Sequence, residues 1–211
     1  MHLDPLVRPV RVSRVRRVLT DVARVISTVC NPFITPLVLF VLVCGATART
    51  PQTFWAWLAV CGFFTSIGPM LVLFWLYLTG TISDLDMSSR QERERVFLVF
   101  VFSYLAGTIV LWLTSAAPVI VAAMAGYTAS AFLVQNITRY WKISTHALGI
   151  TAPLVVVTYL YGFEPLPFWV LVPLVGWSRI YLKAHTPLQV VAGSLLGAGC
   201  VVVFFRIFRI G

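Results

Sequence analysis

Seven long apolar runs, separated by short polar segments, divide the chain at about 25–47, 54–79, 96–115, 117–137, 147–163, 166–183 and 187–207. Each approaches the roughly 20 residues a helix needs to cross a bilayer core about 30 Å thick. The pattern predicts an all-α, polytopic transmembrane bundle of about seven spans, a six-helix core plus one. Asn31, Pro32 and Pro36 interrupt the first run, where a kink is expected. Ahead of it, Val12, Val15, Val18, Leu19, Val22 and Val25 recur at three- and four-residue steps among the six arginines of 1–24. That spacing predicts a basic amphipathic surface helix over 1–24, resting on an anionic membrane, followed by a membrane domain over 25–211.

Composition narrows the class. Of 211 residues, 59% are hydrophobic and 11% charged, which excludes a soluble globular domain and leaves no length for a second one. Cys30, Cys44, Cys61 and Cys200 fall inside apolar runs without CxxC or Cys/His spacing, so they read as small packing residues. Sixteen Lys and Arg face seven Asp and Glu, and after Glu94 the single carboxylate side chain is Glu164. A carboxylate-rich divalent-metal site therefore has material only around 84–94, whereas a metal-free phosphate pocket is easily assembled. No metal, cofactor or nucleic-acid partner is expected.

Successive loops lie on opposite sides of a membrane, and thirteen of the sixteen basic residues fall on the side of the N-terminus. Arg49, Arg206 and Arg209 fall on the other. The positive-inside rule predicts a cytoplasmic N-terminus in the cell membrane.

Polar residues are costly at a membrane border, so their clustering is informative. They gather in 83–95, 142–146 and 178–189, each separated from the next by two spans and hence on one face. Two of the protein's three histidines, His146 and His185, sit there beside cations. A histidine pair divides nucleophile and acid roles, and arginine offers a planar fork to phosphoryl oxygens. Thr186-Pro187-Leu188-Gln189 reads as a capped helix start, and Ser144 or Thr145 is placed to cap the fifth span. Helix N-termini favour anions, so two histidines, two helix starts and several cations are expected around one phosphate.

These segments resemble the phosphatidic acid phosphatase type 2 superfamily over about 80–200. Ser178-Arg179, five residues, then His185 is similar to the family's third motif, with Gln189 where the motif has Asp. Ile143-Ser144-Thr145-His146 is similar to the second motif, and Arg90 and Arg93, following Asp86, to a divergent first motif. The resemblance implies a metal-independent phosphoric ester hydrolase working through a phosphohistidine. His185 would be the nucleophile, His146 the acid, and Arg179, Arg90 and Arg93 the phosphate clamp, with Ser144, Thr145 and Ser178 also at the phosphate. Gln189, or a carboxylate such as Asp86, would orient His185. Lys142, beside the second motif, is a further phosphate contact on its position alone. The expected substrate is a lipid phosphate, either an isoprenyl or polyprenyl-linked phosphate or a phospholipid phosphate. A non-catalytic headgroup binder, a transporter and a lipid phosphotransferase are the alternatives.

Overall fold

The computed structural model describes residues 13–83 and 90–210, with the side chain of Arg90 outside the description. Residues 1–12 of the expected surface segment and Asp86 therefore lie outside the described residues. The described chain is helical, with no strand: α1 (Arg14–Val29), α2 (Ile34–Thr47), α3 (Pro51–Gly62), α4 (Gly68–Leu78), α5 (Arg90–Leu113), α6 (Pro118–Thr138), α7 (Thr145–Tyr161), α8 (Leu171–Tyr181) and α9 (Pro187–Ile207). A π-helical turn joins α3 to α4, and a 3₁₀ turn leads into α8.

Every expected apolar run is helical, and together the helices form a membrane bundle. Four stretches are long and apolar enough to cross a membrane: Pro51–Leu78, Gln91–Leu113, Pro118–Thr138 and Pro187–Ile207. A fifth results if α1 and α2, bent by 47° at their junction, are taken as one broken span. Thr145–Tyr161 and Leu166–Tyr181 are shorter apolar helices. The bend falls at Asn31-Pro32, as the interrupted pattern predicts. Asn31 accepts the backbone N–H groups of Phe33 and Ile34 on Oδ1, at 2.8 and 3.0 Å, and so starts α2. The helix carrying the basic segment does not stop at residue 24. It continues to Val29, placing its last turn inside the first apolar run.

α6 is the central helix, with 72% of its most apolar window buried against about 30% for the other three full-length stretches. Its small residues Ala122, Ala123, Gly126 and Ala131 allow close approach, and a Cβ at Gly126 would sit 3.7 Å from the α9 backbone at Val201. The tightest approach joins α7 to α9. A Cβ at Gly193 would run into the Ser144 carbonyl, and one at Gly197 would come within 2.8 Å of the Leu148 carbonyl. Gly193 and Gly197 are four apart, the spacing that lets two membrane helices touch backbone to backbone. This contact sets the first turns of α7 and α9 side by side.

Candidate active site

The site is built at one end of the bundle, where α1, α5, α6 and α8 meet the starts of α7 and α9. α8 ends in a Schellman turn. The Ala184 N–H returns to the Arg179 carbonyl at 3.0 Å and Lys183 N–H to Ile180 at 2.9 Å, with Lys183 at φ 55°. The His185 N–H also bonds the Arg179 carbonyl, at 3.2 Å. Five residues between Arg179 and His185 are thus the length of one helix termination, which folds the imidazole back over the guanidinium.

α9 then starts on a capping box. Thr186 Oγ1 accepts from Gln189 N–H at 3.4 Å, and Gln189 Oε1 accepts the Thr186 N–H at 3.1 Å. The same Oε1 lies 3.2 Å from His185 Nδ1. Because Oε1 is fixed as the acceptor of an N–H, Nδ1 must carry the imidazole proton, leaving Nε2 with its lone pair. Gln189 is both helix cap and orienter of His185.

α7 starts symmetrically. Ser144 caps it, with Oγ accepting from Ala147 N–H at 3.3 Å, and the Ser144 N–H donates to the Gln189 carbonyl at 3.2 Å. This bond ties the two helix starts together. Lys142 Nζ donates to the Ala184 carbonyl at 2.9 Å, bracing the loop that carries His185.

One pocket of about 310 Å³ is lined by Arg93, Lys142, Thr145, His146, Arg179 and His185, closed on one side by Ser27, Thr28 and Asn31 of the α1–α2 corner. A space of that size is far above the roughly 10–15 Å³ one water requires. Of the expected site residues, the structure gathers these six. Ser144 and Ser178 stand apart from the lining: both are fully buried, Ser144 spent on the cap and Ser178 donating to the Val175 carbonyl at 2.8 Å. Their hydroxyls are hydrogen-bonded at helix ends. Arg90 begins α5, one turn before Arg93.

Burial, with Lys142 and Arg179 nearby, lowers the pKa of His185 to about 4; Arg93 adds to the shift and the Gln189 contact opposes it. The ring is therefore neutral near pH 7, as a nitrogen nucleophile must be. His146 is within electrostatic reach of both Arg179 and His185.

Sequence reasoning overlooked two contributors. The α1–α2 corner, with Ser27, Thr28 and Asn31, supplies a wall of the pocket. Its small polar residues at a kink were the available signal. The Gly193/Gly197 pair sets the distance between α7 and α9, and its four-residue spacing in an apolar helix was legible.

The helical membrane bundle thus presents two histidines and three cations to one pocket, an arrangement chemically suited to holding a phosphate. The family model of the PAP2 superfamily matches residues 124–210, from α6 through α9. No curated protein and no solved structure matches the chain. The superfamily supports a phosphoric ester hydrolase at the level of class.

Proposed function

We propose that the protein is a membrane-embedded lipid phosphatase, hydrolysing a phosphate monoester or diphosphate carried on an isoprenyl, polyprenyl or phospholipid tail. One observation carries the reading: the cation-lined pocket shares Pro32, Phe33, Phe97 and Thr145 with an apolar cavity between α5, α6 and α7. That cavity continues past Phe100 to Tyr104 and Tyr127, with successive ring centroids 5.8 to 6.0 Å apart. A phosphoryl group and the first apolar carbons attached to it have adjoining spaces, of about 310 and 70 Å³.

In the reaction, neutral His185 attacks phosphorus through Nε2 while the Gln189 amide oxygen holds Nδ1–H. The bond from phosphorus to the lipid oxygen breaks, and that oxygen takes a proton from His146, which the negative charge of the bound phosphate must keep protonated against the burial and the Arg179 charge that lower its pKa to about 3. Arg179, Arg93 and Lys142 hold the non-bridging oxygens, where negative charge concentrates. Water then attacks the phosphohistidine and the P–N bond breaks. The water proton passes to His146, which restores both rings and releases inorganic phosphate. The charge asymmetry of the loops favours a cytoplasmic site, and accessibility of a cysteine placed at Ser88 to an impermeant reagent from outside intact cells would overturn that orientation.

The test is phosphate release from a panel of lipid phosphates in detergent, with chelator present. His185→Ala is expected to abolish turnover, and His146→Ala to lower it by about 10²–10⁴. Equal release by all three proteins would overturn the reading. Trapping of labelled phosphohistidine without release to water, and with transfer to an added alcohol, would identify a phosphotransferase instead.

A further inference from the structure

α1 lies wholly outside the segment matched by the family model, yet it reaches one of the pocket's three cations. Ser27 is buried in the last turn of α1, on the face that also buries Ala23. Its Oγ accepts a hydrogen bond from Arg179 Nη1 at 2.6 Å, across 152 residues of sequence. A hydrogen bond with one charged partner is among the stronger kinds, and a guanidinium held at one nitrogen has its planar fork aimed. The Tyr181 hydroxyl, 3.5 Å from the Arg16 carbonyl, ties the same two helices about three turns earlier along α1.

The backbone of Ser27 contributes as well. α1 ends at Val29, so the Ser27 carbonyl is among the last four, which lack partners within the helix. It lies at the same pocket as His146, and while burial, Arg179 and His185 lower that ring's pKa to about 3, the Ser27 backbone acts in the opposite direction. The negative end of the α1 dipole also points where Arg179 carries positive charge. In a site with Gln189 at its third-motif position, this is a source of partial negative charge close to that guanidinium.

We propose that Ser27 is a positioning residue of the active site, its hydroxyl aiming Arg179 at the phosphoryl oxygens. The inference rests on the phosphatase reading above. It makes α1 a structural part of the catalytic centre as well as a membrane-surface helix.

The experiment compares wild type with Ser27→Ala, Ser27→Thr, Arg179→Lys and Ser27→Ala/Arg179→Lys in detergent. It measures kcat and KM for lipid phosphate release, the thermal midpoint, and affinity for inorganic phosphate by calorimetry. Ser27→Ala is expected to lower kcat about 10- to 100-fold with the thermal midpoint unchanged. Ser27→Thr, which keeps the hydroxyl, should recover most of it. In the Arg179→Lys background, Ser27→Ala should have little further effect, since the aimed fork is already gone. A full-activity Ser27→Ala protein, or equal losses in both backgrounds, overturns the proposal. If wild type releases no phosphate from any lipid, the phosphatase reading falls alone. The calorimetric arm then decides Ser27, with about tenfold weaker phosphate binding by Ser27→Ala supporting its hold on Arg179 and unchanged binding refuting it.

Discussion

His185 and His146 stand at the starts of two adjacent helices, and they are held in different ways. His185 is oriented by its own helix: the Schellman turn of α8 brings it back, and Gln189, four residues on, accepts its Nδ1–H. His146 begins α7 behind a local cap, but its neighbour at the ring is Ser27 of α1, more than a hundred residues away. The first arrangement is written in a dozen consecutive residues and needs no other part of the fold. The second exists only when α1 packs on α8. The nucleophile's geometry is local, then, and the acid's is tertiary.

The largest effect should come from breaking what brings the two together. Gly193→Ala puts a methyl into the Ser144 carbonyl, at the bond-length-limited contact between α7 and α9. The helices must separate, which also strains the Ser144–Gln189 backbone bond joining the two starts. A loss of about 3 kcal/mol or more in stability is expected, with phosphate release falling to the level of His185→Ala. Gly199→Ala is the control on the same helix, because its Cβ meets nothing within 4 Å. That variant should keep full activity and unfold at or slightly above the wild-type temperature, given alanine's better helix propensity of up to about 1 kcal/mol. Similar behaviour of the two variants would show that the close approach does not hold the site together.

A second intervention sharpens the local half of the comparison. Gln189→Glu keeps the length and the accepting oxygen and adds a charge beside Nδ1. An opposite charge within about 4–6 Å raises an imidazole pKa by about 1–3 units, so His185 should rise from about 4 to roughly 5–7. The nucleophile must be neutral, hence the acid limb of kcat/KM should move to higher pH by the same amount. Substrate ionisation is common to both proteins, so the difference between their profiles belongs to residue 189. An unmoved limb would mean that His185 is not the group whose protonation stops the reaction.

The same division explains what could be read from the sequence. The apolar runs, the kink at Asn31-Pro32 and the Thr186 capping box depend on neighbours in the chain, and the structure contains each of them. His146, His185, Arg93, Lys142 and Arg179 were found to share a pocket for a related reason: odd numbers of spans cannot separate groups that two spans at a time return to one face. For Ser144 and Ser178 the motif marks a position, while the hydroxyl's hydrogen-bond partner is set by the helix end it sits in. Ser27 left no trace that spacing alone could reveal. A serine in the first apolar run, close to a kink, names no partner until α8 is laid against it.

The smallest expected effect tests the turn that makes His185's geometry local. Lys183 occupies the left-handed region at φ 55°, the C′ position of the Schellman motif, where a side chain costs roughly 1 kcal/mol that glycine does not pay. Lys183 is absent from the pocket lining, so its charge is not required there. Lys183→Gly should therefore raise the unfolding midpoint by a few degrees in detergent and leave kcat within about twofold, since the two hydrogen bonds to Arg179 and Ile180 are main-chain bonds that survive the change. Lys183→Pro removes the N–H that bonds Ile180 and cannot adopt positive φ, so it should lose turnover while Lys183→Gly keeps it. If both substitutions were equally harmless, the return of the chain onto Arg179 would not be what positions His185, and the nucleophile's orientation would rest on Gln189 alone.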